Sequence, residues 1–501
     1  MTIWKPHLPQ GKPKYLALAD AIEADIAAGT LLPGQRLPTH RDLADALGVT
    51  VGTVTRGYSE AARRGAVRGE VGRGTSVRPL REAHTPWWNG GPDGGAAAAW
   101  PDQANASEQP GQPRSARPGG RPVMVDVPGM PATLRPAKID LGLVTDMSGL
   151  DPDLGAALRE VAARPDVQEL LRYQPSPGMA RHREAGSRWC ALYGVEAPPS
   201  RVLVTAGGQH GLFVLLSVLF RPGDRVAAGQ CNYPGLISAA GLLGIKLVPL
   251  ALDAEGVVPE SLEELCAREG IRGLYCLPGS HNPTTASPTP QRQERLAAVA
   301  RARNLLVLED GAYALTTGKP CVPVGSFAPE RSFFVCSVSK MVDGGLRVGF
   351  VASPQEHVER LGLGITSTMW MAAPLCAEIT SSWIFDGTAE AVLRRKLAEA
   401  AARVELARRV LAGCDFEVQP NGYFLWLKLP EPWRASDFER AASLRGVVVI
   451  GGDSFAVGQT PAPSAVRVSL SAARSRDELA QGLGVLAELV REAPRPGRAI
   501  V

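Results

Sequence analysis

Long apolar runs are missing from this sequence. Nothing in its 501 residues approaches the roughly 18 to 20 consecutive apolar side chains needed to span a bilayer, the longest stretch being 211–220 with Ser217 inside it. Residues 1–10 lack the charged-then-apolar order of an export signal, so a cytoplasmic protein with no membrane partner is expected. The eight cysteines form no CxxC pair, and no histidine stands at zinc-finger spacing. Reduced thiols are expected, and no metal site. Charge of one sign is also scarce: the formal net charge is +4, which by itself suggests no polyanionic partner. Hydrophobic residues, at 45%, are ample, and a chain this long is expected to build at least two cores, which excludes a single small binding module.

The position of the charge is more informative than its total. Residues 1–80 hold 11 Lys and Arg against 7 Asp and Glu, so the rest of the chain sums to zero. Residues 1–55 are balanced; the excess lies in Arg56, Arg63, Arg64, Arg68, Arg73 and Arg78. A compact basic patch is what phosphate neutralisation requires, although solvated arginines on a helix face would look the same. Leu16, Ala19, Ile22 and Ile26 recur at helical spacing and stop at Gly29. A turn on Pro33 and Gly34 follows; Thr39 can then cap a helix through Ala46, Gly48 breaks it, and Thr50 can cap a second helix to about Arg64. Two short helices about a Gly-containing turn form a helix-turn-helix, and the alternating, glycine-bearing AVRGEVGRGTSV after it reads as a hairpin wing.

Through LPTHRDLADALGVTVGTVTRGY and GRGTSV the first 78 residues or so resemble the winged helix-turn-helix of GntR-family regulators. The resemblance implies double-stranded operator DNA as partner, with Arg41 and Arg56 on phosphates or base edges, Thr53 at the start of the recognition helix and Arg73 in the wing. Val51 stands where the family commonly has arginine. A small helical dimerisation module is the alternative, but it would not need the glycines and arginines of the wing. Residues 81–135 contain 9 Pro and 8 Gly, a composition that cannot bury enough apolar surface to offset chain entropy, so a flexible linker is expected. Trp87, Trp88 and Trp100 lie in it and could dock on a neighbouring surface or on none.

From about residue 135, apolar strands alternate with helical stretches: RVLVTAG, DRVAAG, KLVPL, IRGLYCLP, NLLVLED and SFFVCSVSK. The pattern predicts an α/β fold with a mostly parallel sheet, whose ligands collect at the carboxyl ends of the strands. Polar clusters follow those runs: AGGQHGL, HNPTT, EDGAYAL and SVSKMVDGGLRVGF. Each alone has an ordinary structural reading, as a tight turn, a helix cap or a surface lysine. Together they offer an amine at Lys340, a carboxylate at Asp310, and cations and N–H groups for a phosphate. An aldehyde cofactor with a phosphate and a pyridine ring requires that set, and pyridoxal 5'-phosphate fits it.

Over about residues 138–487 the chain resembles fold type I aminotransferases of class I and II. The resemblance implies Lys340 as the Schiff-base lysine, Asp310 as partner of the pyridinium nitrogen, and Asn282 and Tyr313 on the ring hydroxyl oxygen. It implies Tyr233 stacked on the ring, and Gly208, Gln209, Ser337, Ser339 and Arg347 on the phosphate. Tyr173 would reach the phosphate from a second subunit, making a homodimer, and Arg467 would pair a substrate or effector carboxylate. Gly311, Ala312 and Tyr423 depart from the usual pattern without touching a cofactor anchor.

The expected organisation is a winged helix at 1–80, a linker at 81–135 and an aminotransferase-like domain at 136–495. That architecture resembles the MocR-type branch of the GntR regulators, which implies a transcriptional regulator sensing pyridoxal phosphate, an amino compound or both. A metabolic aminotransferase with a vestigial DNA-binding module is the alternative. A regulator that had lost its cofactor would lack Lys340 or Asp310, and both are present.

Overall fold

The computed structural model describes residues 4–6, 12–27, 30–31, 35–63, 66–70, 74–77, 139–145, 147 and 149–492. It divides into two units, Met1–Arg121 and Pro122–Val501. The expectations for Gly29, Pro33, Gly34, Arg64, Arg73, Arg78 and the three linker tryptophans lie outside the described residues, as do the side chains of Arg63 and Arg68.

In the first unit, helices span Lys14–Ala27, His40–Leu47 and Val51–Arg63, and strands Val67–Glu70 and Gly74–Val77 pair as an antiparallel hairpin. Both predicted caps form: the Thr39 hydroxyl accepts from the Asp42 N–H at 3.3 Å, and that of Thr50 from the Thr53 N–H at 3.2 Å. Gly48, in the left-handed conformation, ends the first of these helices. The core joins Leu18, Ala19, Ile22, Leu43, Val54, Tyr58 and Ala61 to Val67 and Val77 of the hairpin. Leu18 rather than Leu16 leads the buried face of the first helix, because it packs where Gly57 leaves room: a Cβ at Gly57 would stand 2.6 Å from Leu18 Cδ2. The Tyr58 hydroxyl donates to the Pro38 carbonyl at 2.9 Å, which ties the recognition helix to the residues before the cap.

The second unit is built on a seven-stranded sheet. Its spatial order is Val202–Thr205, Gly349–Ala352, Ser332–Ser337, Leu306–Asp310, Ile271–Cys276, Arg225–Gly229, Lys246–Leu250. All six strands predicted from the apolar runs are present. One was not anticipated: Gly349–Ala352 runs antiparallel to both neighbours. Only residues 338–348 separate it from Ser332–Ser337, and a parallel return needs a crossover of about a dozen residues or more. Alternate residues of the strands enter separate cores. Leu203, Val226, Tyr275, Leu308 and Phe333 pack on one face under the helices Gly208–Leu219 and Pro234–Leu242. Val204, Phe334, Cys336 and Phe350 pack on the other.

A smaller antiparallel sheet, ordered Phe416–Val418, Phe424–Lys428, Ala465–Ser469, Ile450–Gly451, packs with helices Ala435–Leu444 and Arg476–Arg491 around Leu425, Val466, Val468 and Leu483. Ile139–Asp140 pairs in parallel with Val447–Val448, and Ile139 packs in the same core as the small sheet. No helix among the described residues is long and apolar enough to cross a membrane.

Candidate functional site

The carboxyl ends of the central strands gather the polar residues, as an α/β sheet requires. After Val202–Thr205 the chain turns through Gly207 at φ 82° and ψ 170° into the helix that begins at Gly208. The backbone there is glycine-only terrain, and the space is needed as well. A Cβ on Gly207 would lie 2.5 Å from Arg347 Nη2, and one on Gly208 would meet Ser337 Oγ at 3.7 Å. Arg347, itself at φ 53°, donates from Nη1 to Ser339 Oγ at 3.0 Å and to the Gly344 carbonyl at 3.3 Å. The N–H groups of a helix start, one guanidinium and two serine hydroxyls thus converge, a donor set suited to a dianion. Gln209 opens the same helix, with its side-chain amide donating to the Gly235 carbonyl at 3.0 Å.

Asp310 ends its strand. Its Oδ1 accepts from the Ala312 N–H at 3.0 Å and its Oδ2 from the Tyr275 hydroxyl at 2.9 Å. Burial raises its pKa, while both hydrogen bonds pull the other way. A cation placed against this carboxylate would reverse the shift. Tyr275 was missed in the sequence, where it reads as one more apolar strand residue; register explains its reach, because it pairs with Leu308, two residues before Asp310 on the same face.

Tyr233 precedes the helix Pro234–Leu242. Burial raises its pKa first, and the Asp310 charge adds to this while Arg467 and Arg347 oppose it, which puts each of those three side chains within electrostatic reach of the Tyr233 hydroxyl. Tyr313 is buried, its ring edge-on to Phe424 at 5.0 Å, and burial raises its pKa too. The glycine noted at 311 has a packing reason: a Cβ there would stand 2.5 Å from the Phe334 ring.

Arg467, on the strand Ala465–Ser469, is buried between Phe424 and Phe455, with its guanidinium carbon 5.8 and 5.0 Å from their ring centres. Nη1 donates to Asn282 Oδ1 at 2.9 Å and Nη2 to the Gly142 carbonyl at 2.9 Å. Nε is buried with no hydrogen-bond partner among the described residues. Desolvation lowers the pKa of this guanidinium, and a bound anion would relieve that cost. The Nε–Nη2 edge is therefore half vacant, and that edge is the one that grips a carboxylate with two parallel bonds. Lys340 lies three residues past Ser337, and its Nζ donates to the Val144 carbonyl at 2.5 Å.

Lys340, Asp310, Tyr233, Tyr313, Asn282, Ser337, Ser339, Arg347, Gly208 and Gln209 thus lie at one end of the large sheet, on strand ends, on the loops beyond them or in the first turn of a helix, and Arg467, on a strand of the small sheet, joins them through Asn282. Tyr173 does not join them within the chain: it is 79% exposed, its ring 5.4 Å from that of Trp370. In the first unit Arg41 and Arg56 are exposed on the two helices of the helix-turn-helix, and Thr53 shares a 2.9 Å hydroxyl–hydroxyl bond with Thr50.

Comparison with known proteins matches residues 143–486 to the model of aminotransferase class I and II, and residues 14–77 to that of bacterial regulatory proteins, gntR family. HTH-type transcriptional regulator YdeF of Bacillus subtilis is 30% identical over 489 residues, covering 97% of this chain and 96% of that protein. HTH-type pyridoxine biosynthesis transcriptional regulator PdxR of Corynebacterium glutamicum is 26% identical, covering 70% and 67%. Among solved structures, LysN, the α-aminoadipate aminotransferase of Thermus thermophilus in complex with N-(5'-phosphopyridoxyl)-L-leucine, superposes with a TM-score of 0.63 at 26% identity. It covers 70% of this chain and 92% of LysN.

Proposed function

The chain belongs to the class I and II aminotransferases and, through its GntR-type head, to the MocR-type transcriptional regulators, and from that premise we propose that it holds pyridoxal 5'-phosphate at Lys340 and adjusts operator binding to an amino compound recognised at the same site. The observation that carries this reading is the half-vacant Arg467 edge in a site that also presents an amine, a strand-end carboxylate and a phosphate-sized cradle. The residues fit the cofactor: a Cβ at Gly207 would fill the cradle, and the donors around it suit a phosphate ester.

When bound, pyridoxal 5'-phosphate supplies an aldehyde that condenses with a primary amine and a ring that draws electrons from the amine's α-carbon. Lys340 provides the amine of the resting protein. Asp310 holds a proton at the ring nitrogen, with Tyr275 fixing the orientation of its carboxylate. Tyr233 covers the ring face, and the Asn282 amide nitrogen and Tyr313 hydroxyl meet the ring hydroxyl oxygen. Gly208, Gln209, Ser337, Ser339 and Arg347 bind the phosphate, joined by Tyr173 of a second copy in a homodimer. Exposure of Leu171, Tyr173, Leu363 and Trp370 supports such a dimer, because these large side chains would otherwise stay in water. Arg467 takes the carboxylate of the amino compound. In the cytoplasm, the 1–80 module contacts double-stranded DNA through Arg41, Thr53, Arg56 and Arg73; residues 81–135 tether it to the 136–495 domain.

Two assays on one preparation test the proposal: binding to an operator fragment with and without pyridoxal phosphate and candidate amines, and amino-group transfer to a 2-oxo acid. Specific DNA binding that responds to the amine, with negligible turnover, is expected, and Lys340→Ala should abolish the response. Fast turnover without a specific DNA site would establish the metabolic enzyme instead.

A further inference from the structure

The helix Val51–Arg63 turns Val54, Tyr58 and Ala61 inward to the core of the first unit. Its outer stripe, Val51, Gly52, Thr55, Arg56 and Ser59, is exposed, and before Arg56 that stripe carries no charge and no side-chain amide. Val51 is 43% exposed, a branched apolar side chain left in water at the helix start. Thr55 turns its hydroxyl back to donate to the Val51 carbonyl at 3.0 Å, so the group it offers outward is its methyl. Gly52 is the least expected of the three. Glycine weakens a helix relative to alanine, and is retained where φ is positive or where space is short. Gly57, with a Cβ position 2.6 Å from Leu18 Cδ2, meets the second condition. Gly52 meets neither: its backbone is helical, and among the described residues a Cβ there would meet only Thr50 Oγ1, at 3.9 Å. Nothing in the packing of the unit calls for a glycine at 52, which points to close approach of an outside partner.

We propose that Val51, Gly52 and Thr55 read thymine in the operator. Gly52 lets the start of the helix sink against the base edges of the major groove, and the methyl groups of Val51 and Thr55 pack on the C5-methyl groups of thymines there. The inference rests on the DNA-binding reading above and adds a base preference to it. The second helix of a helix-turn-helix enters the major groove with its N-terminal residues toward the bases. In that groove guanine is read by a guanidinium or ammonium, adenine by a side-chain amide and cytosine by a carboxylate, and none of these stands at 51, 52 or 55. Thymine presents a methyl group, to which an apolar side chain is complementary. Charge favours a duplex over a protein surface as the occupant. Arg56 follows Gly52 by one turn on the same stripe, and Arg41 is exposed on the preceding helix, as phosphates bordering the groove require.

The full-length protein, with and without pyridoxal phosphate, is used to select its preferred sites from a pool of randomised duplexes. Each thymine of a selected site is then replaced by deoxyuridine, which lacks only the methyl group. Loss of one buried methyl should weaken binding about fourfold at the contacted thymines. Val51→Ala, and Thr55→Ser, which keeps the hydroxyl bond to the Val51 carbonyl, should each weaken the thymine duplex and lose sensitivity to one of the uracil replacements. Val51→Arg should shift the selected base at its position to guanine. Gly52→Ala should weaken binding to the selected duplexes about tenfold while the first thermal transition holds or rises, an opposition that a merely structural glycine would not give. Uracil tolerated at every thymine of a selected site overturns the thymine reading while leaving DNA binding intact, and so does a Gly52→Ala protein that binds as tightly as wild type. If no sequence is enriched and every duplex binds equally, the operator reading fails and the base preference with it.

Discussion

Gly207→Ala tests the phosphate cradle directly. The residue sits at φ 82° and ψ 170°, where an L side chain costs about 1 to 3 kcal/mol of local strain. Its new methyl group would also stand 2.5 Å from Arg347 Nη2, so the guanidinium must move from its place beside Ser339 and the start of the helix at Gly208. A hydrogen bond to a charged group contributes about 1.5 to 3 kcal/mol, so loss of the Arg347 contact should weaken pyridoxal phosphate binding by roughly 10- to 100-fold. Two controls separate this from general damage. Gly223→Ala imposes a comparable strain at φ 91° in a turn where nothing lies within 4 Å of the new Cβ, and should leave cofactor affinity unchanged. Pyridoxal, which has no phosphate, should bind wild type and Gly207→Ala equally. Titration of each apo protein, followed by absorbance, gives all the constants. Equal affinity of Gly207→Ala and wild type for the phosphorylated cofactor would refute the reasoning, and so would an equal loss in Gly223→Ala.

Tyr275→Phe removes one of the two hydrogen bonds that favour ionised Asp310, so the carboxylate's pKa should rise further and cofactor affinity fall several-fold at neutral pH, checked by a spectroscopic pH titration of the bound cofactor. Glu309, pushed up to about 7 by burial against the N–H bonds of Val324 and Gly325, keeps its proton where the unfolded chain has released it, so the folded state binds more protons and stability falls as pH rises from about 4.5 to 7. Glu309→Gln should remove that slope and gain about 3 kcal/mol on wild type between pH 4 and pH 8 in denaturant melts. Arg41→Ala and Arg56→Ala should each weaken operator and non-operator DNA alike and lower the salt dependence by about one counterion, measured by titration at several salt concentrations. Thr39→Ala should cost the N-terminal unit about 1 kcal/mol, seen as a lowered first transition on heating.

What could be read from the sequence is what chemistry and periodicity constrain locally. Lys340, Asp310 and Arg347 stood out because an amine, a carboxylate and a guanidinium placed after apolar strands have few joint uses, whereas Arg467, inside a strand, was suggested by the family resemblance alone. Thr39, Thr50 and the hairpin were legible because capping and alternation are short-range. The antiparallel strand Gly349–Ala352 was not, since its direction depends on how little chain precedes it rather than on its own residues. Tyr275 was hidden for a related reason: in IRGLYC an aromatic residue looks like core, and only the pairing of its strand with Leu306–Asp310 carries its hydroxyl to Asp310.

The carbonyls of residues 141–145 had no sequence signature at all, because every residue carries one. Yet they bear most directly on the difference between a sensor and an enzyme. Both need Lys340, Asp310 and Arg467, so the anchors cannot separate them. An enzyme gains from a site that returns to its resting state with each turnover; a sensor needs occupancy to alter something outside the site. Arg467 donates to the Gly142 carbonyl and Lys340 to the Val144 carbonyl, and the lack of a side chain at Gly142 lets that short stretch lie close to the small sheet. A carboxylate at Arg467 competes with a backbone contact rather than with water, and a ligand shifts such an equilibrium only by the difference in its affinity for the two states.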